Sequence, residues 1–189
     1  YIDSELALGS NLIIVEQNKE NLYINEYMKS SNVSVLIANP KEQETLMKLN
    51  LDAKKYIVVS TGKDVDNIEI VSQILTINKN VNIYVQIENR SLRYFHKENG
   101  LLQGSNIKIY SYYEDASREL FEKYDIDGKS NEILSSNDEY SIVILGNTNL
   151  SYEVIFQACI MGQLPNENKL TIYCLDKNPK KFQQKVELN

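Results

Sequence analysis

Short apolar runs alternate along this chain with stretches in which hydrophobic residues recur every three or four positions. The runs predict buried strands, and the spaced positions predict amphipathic helices. Regular alternation of the two predicts an α/β fold with a doubly wound, mainly parallel sheet. Strands are predicted at residues 11–16, 33–38, 56–60, 81–87, 107–110, 140–145 and 170–175. Helices are predicted at residues 2–8, 18–29, 40–49, 64–78, 91–99, 114–124, 150–164 and 179–186.

The first two helices have recognisable ends. Gly9 is predicted to close the helix at 2–8, because glycine adopts the left-handed conformation that stops helices. Asn18 is the predicted N-cap of the helix at 18–29. The buried side of that second helix is predicted to consist of Leu22, Tyr23, Tyr27 and Met28.

The length of 189 residues exceeds a typical domain of ~100–150 residues. Residues 125–139 are polar and include Asp-Gly and Ser-Ser-Asn-Asp, a composition typical of linkers. We therefore expect one domain at residues 1–124, a linker at 125–139 and the start of a second βαβ unit at 140–189.

A nucleotide-binding crevice is predicted where the first strands end. Glu16 ends the strand at 11–16, a position at which a carboxylate holds a ribose hydroxyl in such sheets. The ends of the next strands line the same crevice. The expected ligand is a nucleotide, and the candidate binding residues at these strand ends are Glu16, Gln17, Asn39, Ser60, Thr61 and Gly62.

The front of the predicted sheet is incomplete. A doubly wound sheet has a central first strand and a glycine-rich turn, where a pyrophosphate meets a helix N-terminus. This chain starts within the helix that should follow that turn, so we expect the first strand and the turn to be absent from it. Alternatively, the strand at 140–145, which ends before Gly146, fills the central position. In the βαβ unit at 140–189, Thr148 and Ser151 stand where the second and third glycines of the glycine-rich turn would be. This favours a structural role for that unit.

Composition narrows the classes of partner. A formal net charge of −6 argues against a surface that neutralises nucleic acid phosphates. No apolar run approaches the ~18 residues that span a bilayer, so we expect this part to be water soluble. Cys159 and Cys174 are predicted to be small core residues of a reducing compartment, with no disulfide and no metal. The sole histidine, His96, is predicted to lie on the surface.

No catalytic residue is predicted. A dinucleotide-dependent oxidoreductase, the enzyme alternative, needs a general acid beside the nicotinamide. Tyr173 and Lys177 have the spacing of a tyrosine and lysine dyad, but they fall on a strand and its turn rather than on one helix face. We therefore do not expect an enzyme.

Three segments of the chain resemble the TrkA-N family, whose domains regulate potassium conductance. They are Ile-Ile-Val-Glu ending at Glu16, Asn-Pro-Lys-Glu-Gln-Glu-Thr-Leu from Asn39, and Thr-Gly-Lys-Asp-Val-Asp-Asn from Thr61. The resemblance covers roughly residues 2–124, and the part from Tyr140 is similar to the second domain of tandem members. It implies a Rossmann-like cytosolic domain attached to a prokaryotic potassium channel or uptake system. Such domains pair and form gating rings that respond to dinucleotides, adenine nucleotides or ions.

The resemblance also implies roles for individual residues. It implies that Glu16 binds the ribose. It also places Asn39 where the family usually has an aspartate near the adenine. This replacement alters the contact, because an amide donates and accepts whereas an ionised carboxylate only accepts. The resemblance places Ser60, Thr61 and Gly62 at the strand end that faces the ribose and phosphates.

The first turn of the following helix carries two further residues of this motif, Asp64 and Asn67. Gly62 and Asp64 suit a strand-to-helix loop in which Asp64 is the N-cap. Asn67 is expected to cap or brace that turn rather than to touch a ligand.

The expected function is a ligand-sensing regulatory domain of a potassium channel or potassium transport system. A bound nucleotide or ion would bias paired domains by its differential affinity for their two states. The implied partners are further copies, in a homodimer or larger ring, and a membrane segment upstream in the same chain. This implies a cytoplasmic domain of an inner-membrane protein. The alternative is a degenerate Rossmann domain that serves assembly and binds no nucleotide. Asn39 and the missing glycine-rich turn both favour this alternative.

Overall fold

The computed structural model describes residues 2–100, 102–124, 140–162 and 170–187. Helices and strands alternate through these residues, as the hydrophobic pattern predicts. The helices are α1 (Ile2–Ala7), α2 (Ile24–Tyr27), α3 (Gln43–Met47), α4 (Asp64–Ile77), α5 (Arg90–Glu98), α6 (Tyr112–Lys123), α7 (Asn149–Met161) and α8 (Pro179–Glu187). The strands are β1 (Leu12–Glu16), β2 (Val33–Ile37), β3 (Ile57–Val59), β4 (Ile83–Gln86), β5 (Ile107–Tyr110), β6 (Tyr140–Leu145) and β7 (Leu170–Leu175).

The strands form parallel sheets, which confirms the predicted α/β class. β1 pairs with β2 in parallel, from Leu12 opposite Val33 to Glu16 opposite Ile37. β3 pairs in parallel with β4, and β5 follows β4 in the same sheet. β6 and β7 form a further parallel pair along their full length. Parallel strands joined by helices are the Rossmann-like arrangement.

The alternative position of β6, in the centre of the first sheet, is wrong. β6 pairs with β7 in a two-stranded sheet of its own. Among the described residues, β1 pairs only with β2, and β3 pairs only with β4. The expectation that the central first strand is absent from this chain stays a prediction.

The chain divides into two compact units, Tyr1–Val85 with Leu101–Lys108 and Gln86–Gly100 with Ile109–Asn189. Helices α5 and α6 thus belong to the same unit as β6 and β7. Within that second unit α6 packs against α7. The predicted linker at 125–139 lies outside the described residues, and a domain boundary at that place stays a prediction.

Helix α4 supplies a fully buried helix face in the first unit. Its inward residues recur at the spacing of an amphipathic helix, and none is more than 3% exposed. The helix contacts β3, so this face covers the strand that precedes it. Within this unit, the buried residues of the helix and of strands β3 and β4 are Asn67, Ile70, Val71, Ile74, Val59, Ile83 and Val85.

The helix predicted at 18–29 is much shorter than expected. Only Ile24–Tyr27 is helical, and Ile24 is its buried residue. Leu22, Tyr23 and Met28, predicted to face inward, are 85%, 68% and 55% exposed. Side chains of Asn18 and Asn21 accept hydrogen bonds from backbone N–H groups two residues ahead, at Glu20 and Tyr23. Such local turns compete with helix, which explains the late start.

One face of the β6–β7 sheet is covered by helices. Ile144, Tyr152, Ile155 and Phe182 form the buried core on that face, and Cys174 packs against it as predicted. The alternate strand positions point away from the core, because successive side chains of a strand lie on opposite faces. They include four exposed apolar or aromatic residues, Val143, Leu145, Tyr173 and Leu175.

Two smaller predictions about side-chain position are wrong. His96 is buried on α5, with 8% of its surface exposed, whereas its neighbour Phe95 is exposed. Gly100 lies so close that a Cβ atom there would clash with His96 Nδ1, so the absence of a side chain at this position lets the chain cover the ring. Cys159 is exposed on α7 rather than in the core.

Candidate functional site

Glu16 is held in a defined orientation at the carboxyl end of β1. Its Oε1 accepts a hydrogen bond of 2.7 Å from the backbone N–H of Asn18, and its Oε2 accepts one of 2.7 Å from Asn21 Nδ2. The side chain is half-buried, while Gln17 in the same turn is exposed. An ionised carboxylate has about four acceptor sites. Two donors from its own loop therefore leave acceptor sites for the hydroxyls of a ribose.

Asn39 follows β2 and uses its side chain within its own loop. Its Oδ1 accepts a hydrogen bond of 3.0 Å from the backbone N–H of Lys41, and its Nδ2 donates a 3.4 Å bond to Glu42 Oε1. These bonds make a turn at Pro40 and orient the segment that enters α3. The amide is thus a part of the loop, and a contact with adenine stays a prediction.

The segment after β3 is exposed and is braced from below by Asn67. The Oδ1 of Asn67 accepts hydrogen bonds from Thr61 N at 2.8 Å and from Thr61 Oγ1 at 2.7 Å. Asn67 itself is 1% exposed. The expectation that Asn67 braces this turn is confirmed. Ser60, Thr61 and Gly62 therefore lie at the strand end in one fixed arrangement.

The turn between β3 and α4 depends on Gly62. Its φ is +80°, in the left-handed region that residues with a Cβ rarely adopt. The predicted N-cap role of Asp64 is wrong, because Lys63 occupies the N-cap position and Asp64 is the first residue within the helix. A carboxylate in the first turn still complements the helix dipole.

A lysine that the sequence analysis did not single out connects two of these segments. Lys41 Nζ lies 3.0 Å from Asp66 Oδ1 and 2.8 Å from Glu69 Oε2. Lys41 belongs to the loop after β2, and both carboxylates belong to α4. The spacing of Asp66 and Glu69 was the available signal, since residues three apart share a helix face. The ion pairs show that the segments following β2 and β3 lie side by side.

In the second unit, residues of the turn between β6 and α7 form hydrogen bonds that cap the start of α7. Gly146 has a φ of +93°, and Thr148 is the N-cap of α7. Ser151 N donates to Thr148 Oγ1 at 3.1 Å, and Thr148 N donates to Ser151 Oγ at 3.3 Å, which completes a capping box. Tyr152 donates its hydroxyl hydrogen to Asn147 Oδ1. The hydroxyls at the two positions predicted to be structural thus stabilise the start of the helix.

The described helices include none that is long and apolar enough to cross a membrane. Within the same residues, no group of three or more histidine, cysteine, aspartate or glutamate side chains is arranged to hold a metal ion.

Comparison with known proteins relates the chain to one family and to two solved structures. The TrkA-N domain family matches residues 2–103. The NAD(P)-binding domain of an exopolyphosphatase-related protein from Archaeoglobus fulgidus is 16% identical, with a TM-score of 0.53 over 65% of this chain and 85% of that one. GsuK bound to ADP is 15% identical, with a TM-score of 0.63 over 90% of this chain and 39% of the GsuK chain. At these identities the structures show a shared fold. Among curated proteins none matches.

Proposed function

Because the chain belongs to the TrkA-N family, we propose that it is a nucleotide-sensing regulatory domain of a potassium channel or potassium transport system. The observation that carries this proposal is the fixed carboxylate of Glu16 at the end of β1. Its remaining acceptor sites suit the hydroxyls of a ribose, and the exposed Thr61 and Gly62 lie at the end of a further parallel strand. The proposed ligand is NAD(H) or an adenine nucleotide.

The wider setting is part of the same proposal. The regulatory domain acts as a homodimer or larger ring, on the cytoplasmic side of a membrane, and is joined to a channel or transporter segment. A ligand changes gating only through its different affinity for the two states, commonly ~1–3 kcal/mol per site. The similarity to an ADP-bound structure and to an NAD(P)-binding domain supports this class of ligand.

The experiment compares two glutamate variants of the same loop. Glu16→Gln keeps the size of the side chain but removes the charge, and we expect it to weaken binding of NADH, NAD, ATP or AMP about tenfold by calorimetric titration. Glu20→Gln, at an exposed position four residues later, should bind as the unchanged protein does. The two variants can also be expressed in cells that depend on this protein for potassium uptake. Only Glu16→Gln should alter the regulation of that uptake.

A domain that serves assembly alone is the second candidate. The observation that favours it is the amide of Asn39, which bonds within its own loop. Equal affinities of the Glu16 and Glu20 variants would remove Glu16 from the site. Absence of binding by all four nucleotides would favour the assembly role, and turnover of a reduced cofactor would favour an oxidoreductase.

A further inference from the structure

The end of helix α5 carries the only Asn-Gly pair of the chain, Asn99 and Gly100. Every other asparagine except the terminal Asn189 precedes a residue that has a side chain. Asn99 is the C-cap of α5, with a φ of −137° and a ψ of 1°, and its N–H donates to the Phe95 carbonyl at 2.9 Å. The residue is exposed, so its side-chain amide is open to solvent at the point where the helix ends.

An asparagine side chain in this position reacts with the backbone that follows it. The Gly100 nitrogen attacks Asn99 Cγ, the new C–N bond closes a five-membered succinimide ring, and ammonia leaves. Water then opens the ring at one of its two carbonyls. Opening at the side-chain carbonyl gives aspartate, and opening at the backbone carbonyl gives isoaspartate. Glycine favours the attack, because no Cβ crowds the attacking nitrogen and its backbone adopts many conformations.

Gly100 is also the residue that covers His96. A Cβ atom added to Gly100 would clash with His96 Nδ1 and would lie 2.6 Å from His96 Cα. His96 is 8% exposed, and within the residues that the structure describes its buried Nδ1 has no hydrogen-bond partner. Isoaspartate places one more carbon in the main chain directly before Gly100. Since there is no room for added atoms beside the ring, Gly100 must move away from His96.

We infer that Asn99–Gly100 is a site of spontaneous deamidation, and that the isoaspartate formed there uncovers His96. The reaction consumes only water and releases ammonia. Its rate rises with pH, because the attacking nitrogen must lose its proton. Both products carry a new carboxylate at the C-terminus of α5, where the helix dipole disfavours negative charge. The end of α5 therefore changes with the age of the protein.

The first test measures the modification itself. The whole protein is kept in mildly alkaline buffer, and samples are digested with trypsin and followed by mass spectrometry. Peptide 98–108 should gain about 1 Da at Asn99 through exchange of an amide for a carboxylate, and fragmentation should identify isoaspartate as well as aspartate. The gain should be at least about tenfold faster than at exposed Asn80, which precedes the β-branched Val81.

Asn106 is an internal control because it belongs to the same tryptic peptide. Its Nδ2 donates to the carbonyls of Lys79 at 3.0 Å and of Val81 at 2.6 Å, and the bulky Ile107 follows it. Its mass should stay unchanged. A gain at Asn106 or Asn80 as fast as at Asn99, or an Asn99 that keeps its amide, overturns the proposed site.

The second test measures the cover of His96 by its reaction with diethyl pyrocarbonate. The absorbance of the modified imidazole reports this residue alone, because the chain has one histidine. Aged protein should react severalfold faster than fresh protein. Aged Asn99→Gln should show neither the mass gain nor the faster reaction, since its longer side chain closes a ring much more slowly. Fresh Asn99→Asp adds the charge without lengthening the main chain and should react as the fresh unchanged protein does.

The outcomes separate deamidation from the uncovering of His96. Equal reaction of aged and fresh protein, or aspartate as the only product, overturns the uncovering by isoaspartate. Fast reaction of fresh Asn99→Asp assigns the effect to charge, which also overturns that step. Thermal unfolding of the two variants checks that each keeps its fold. If either variant is unfolded, the comparison of Asn99 with Asn80 and of aged with fresh unchanged protein still decides the inference.

Discussion

At the scale of single residues, the end of an apolar strand is where sequence and structure agree best. Glu16 directly follows an apolar run, and Thr61 follows one after a single residue, Ser60, so their positions at strand ends follow from local hydrophobicity. Their contacts are less local. Asn67 lies on α4, the helix that follows β3, and its side chain reaches back to Thr61. The residue is only 1% exposed. The spacing predicted a brace, and the structure identifies the two atoms it holds.

Removal of this brace should destabilise the first unit. Asn67→Ala removes the acceptor of the Thr61 N–H group and the nearer acceptor of its hydroxyl, and we expect the free energy of unfolding to fall by about 1–2 kcal/mol. Asn67→Asp keeps an acceptor oxygen and should lose less. Urea unfolding curves measure both values. Asn80→Ala, at an exposed position, is the control, and an equal loss there would argue against the brace.

At the scale of helices and strands, a buried arginine connects three helices of the second unit through ion pairs. Arg93 on α5 is 3% exposed, and its guanidinium contacts Glu114 of α6 at 3.0 Å and Glu153 of α7 at 2.7 Å. It also donates to the backbone carbonyls of Ile87 and Glu88. One side chain thereby connects three helices. No helical periodicity predicts this, because a charged residue on a helix is normally taken to face solvent.

Loss of Glu153 should therefore be costly. Glu153→Ala leaves a buried guanidinium with one carboxylate fewer, and breaking such a pair typically costs about 3 kcal/mol of stability. Arg118→Ala is the matched control, since it removes the exposed partner of Glu114 on α6 and should cost less than about 0.5 kcal/mol. Thermal and urea unfolding measure the two losses. Equal losses would mean that Arg93 is satisfied without Glu153.

At the scale of the whole molecule, exposed aromatic residues on α5 and α6 bear on assembly. Tyr94 is 70% exposed and Tyr112 is 54% exposed, and both belong to the second unit. Aromatic residues are enriched at protein interfaces, since they bury a large area at low entropic cost. These helices follow β4 and β5 in the chain. The dimer itself stays a prediction.

If α5 and α6 form the dimer, charge on these aromatic positions should dissociate it. We expect Tyr94→Asp with Tyr112→Asp to shift the protein from dimer to monomer in light scattering after size exclusion. Tyr23→Asp changes an equally exposed tyrosine of the first unit and should leave the dimer intact. Dissociation by Tyr23→Asp instead, or a monomeric unchanged protein, would contradict this interface.

The sequence by itself determined the order of strands and helices, the α/β class and the strand-end positions of Glu16, Thr61 and Gly62, because these depend on periodicity and turn residues close in the chain. The tertiary structure alone decided which charges far apart in the chain meet. Lys41 and Asp66 are 25 residues apart, and Arg93 and Glu153 are 60 apart. Such pairs form only when helices pack, since packing brings distant segments together and turns an apparently solvent-facing charge toward a partner.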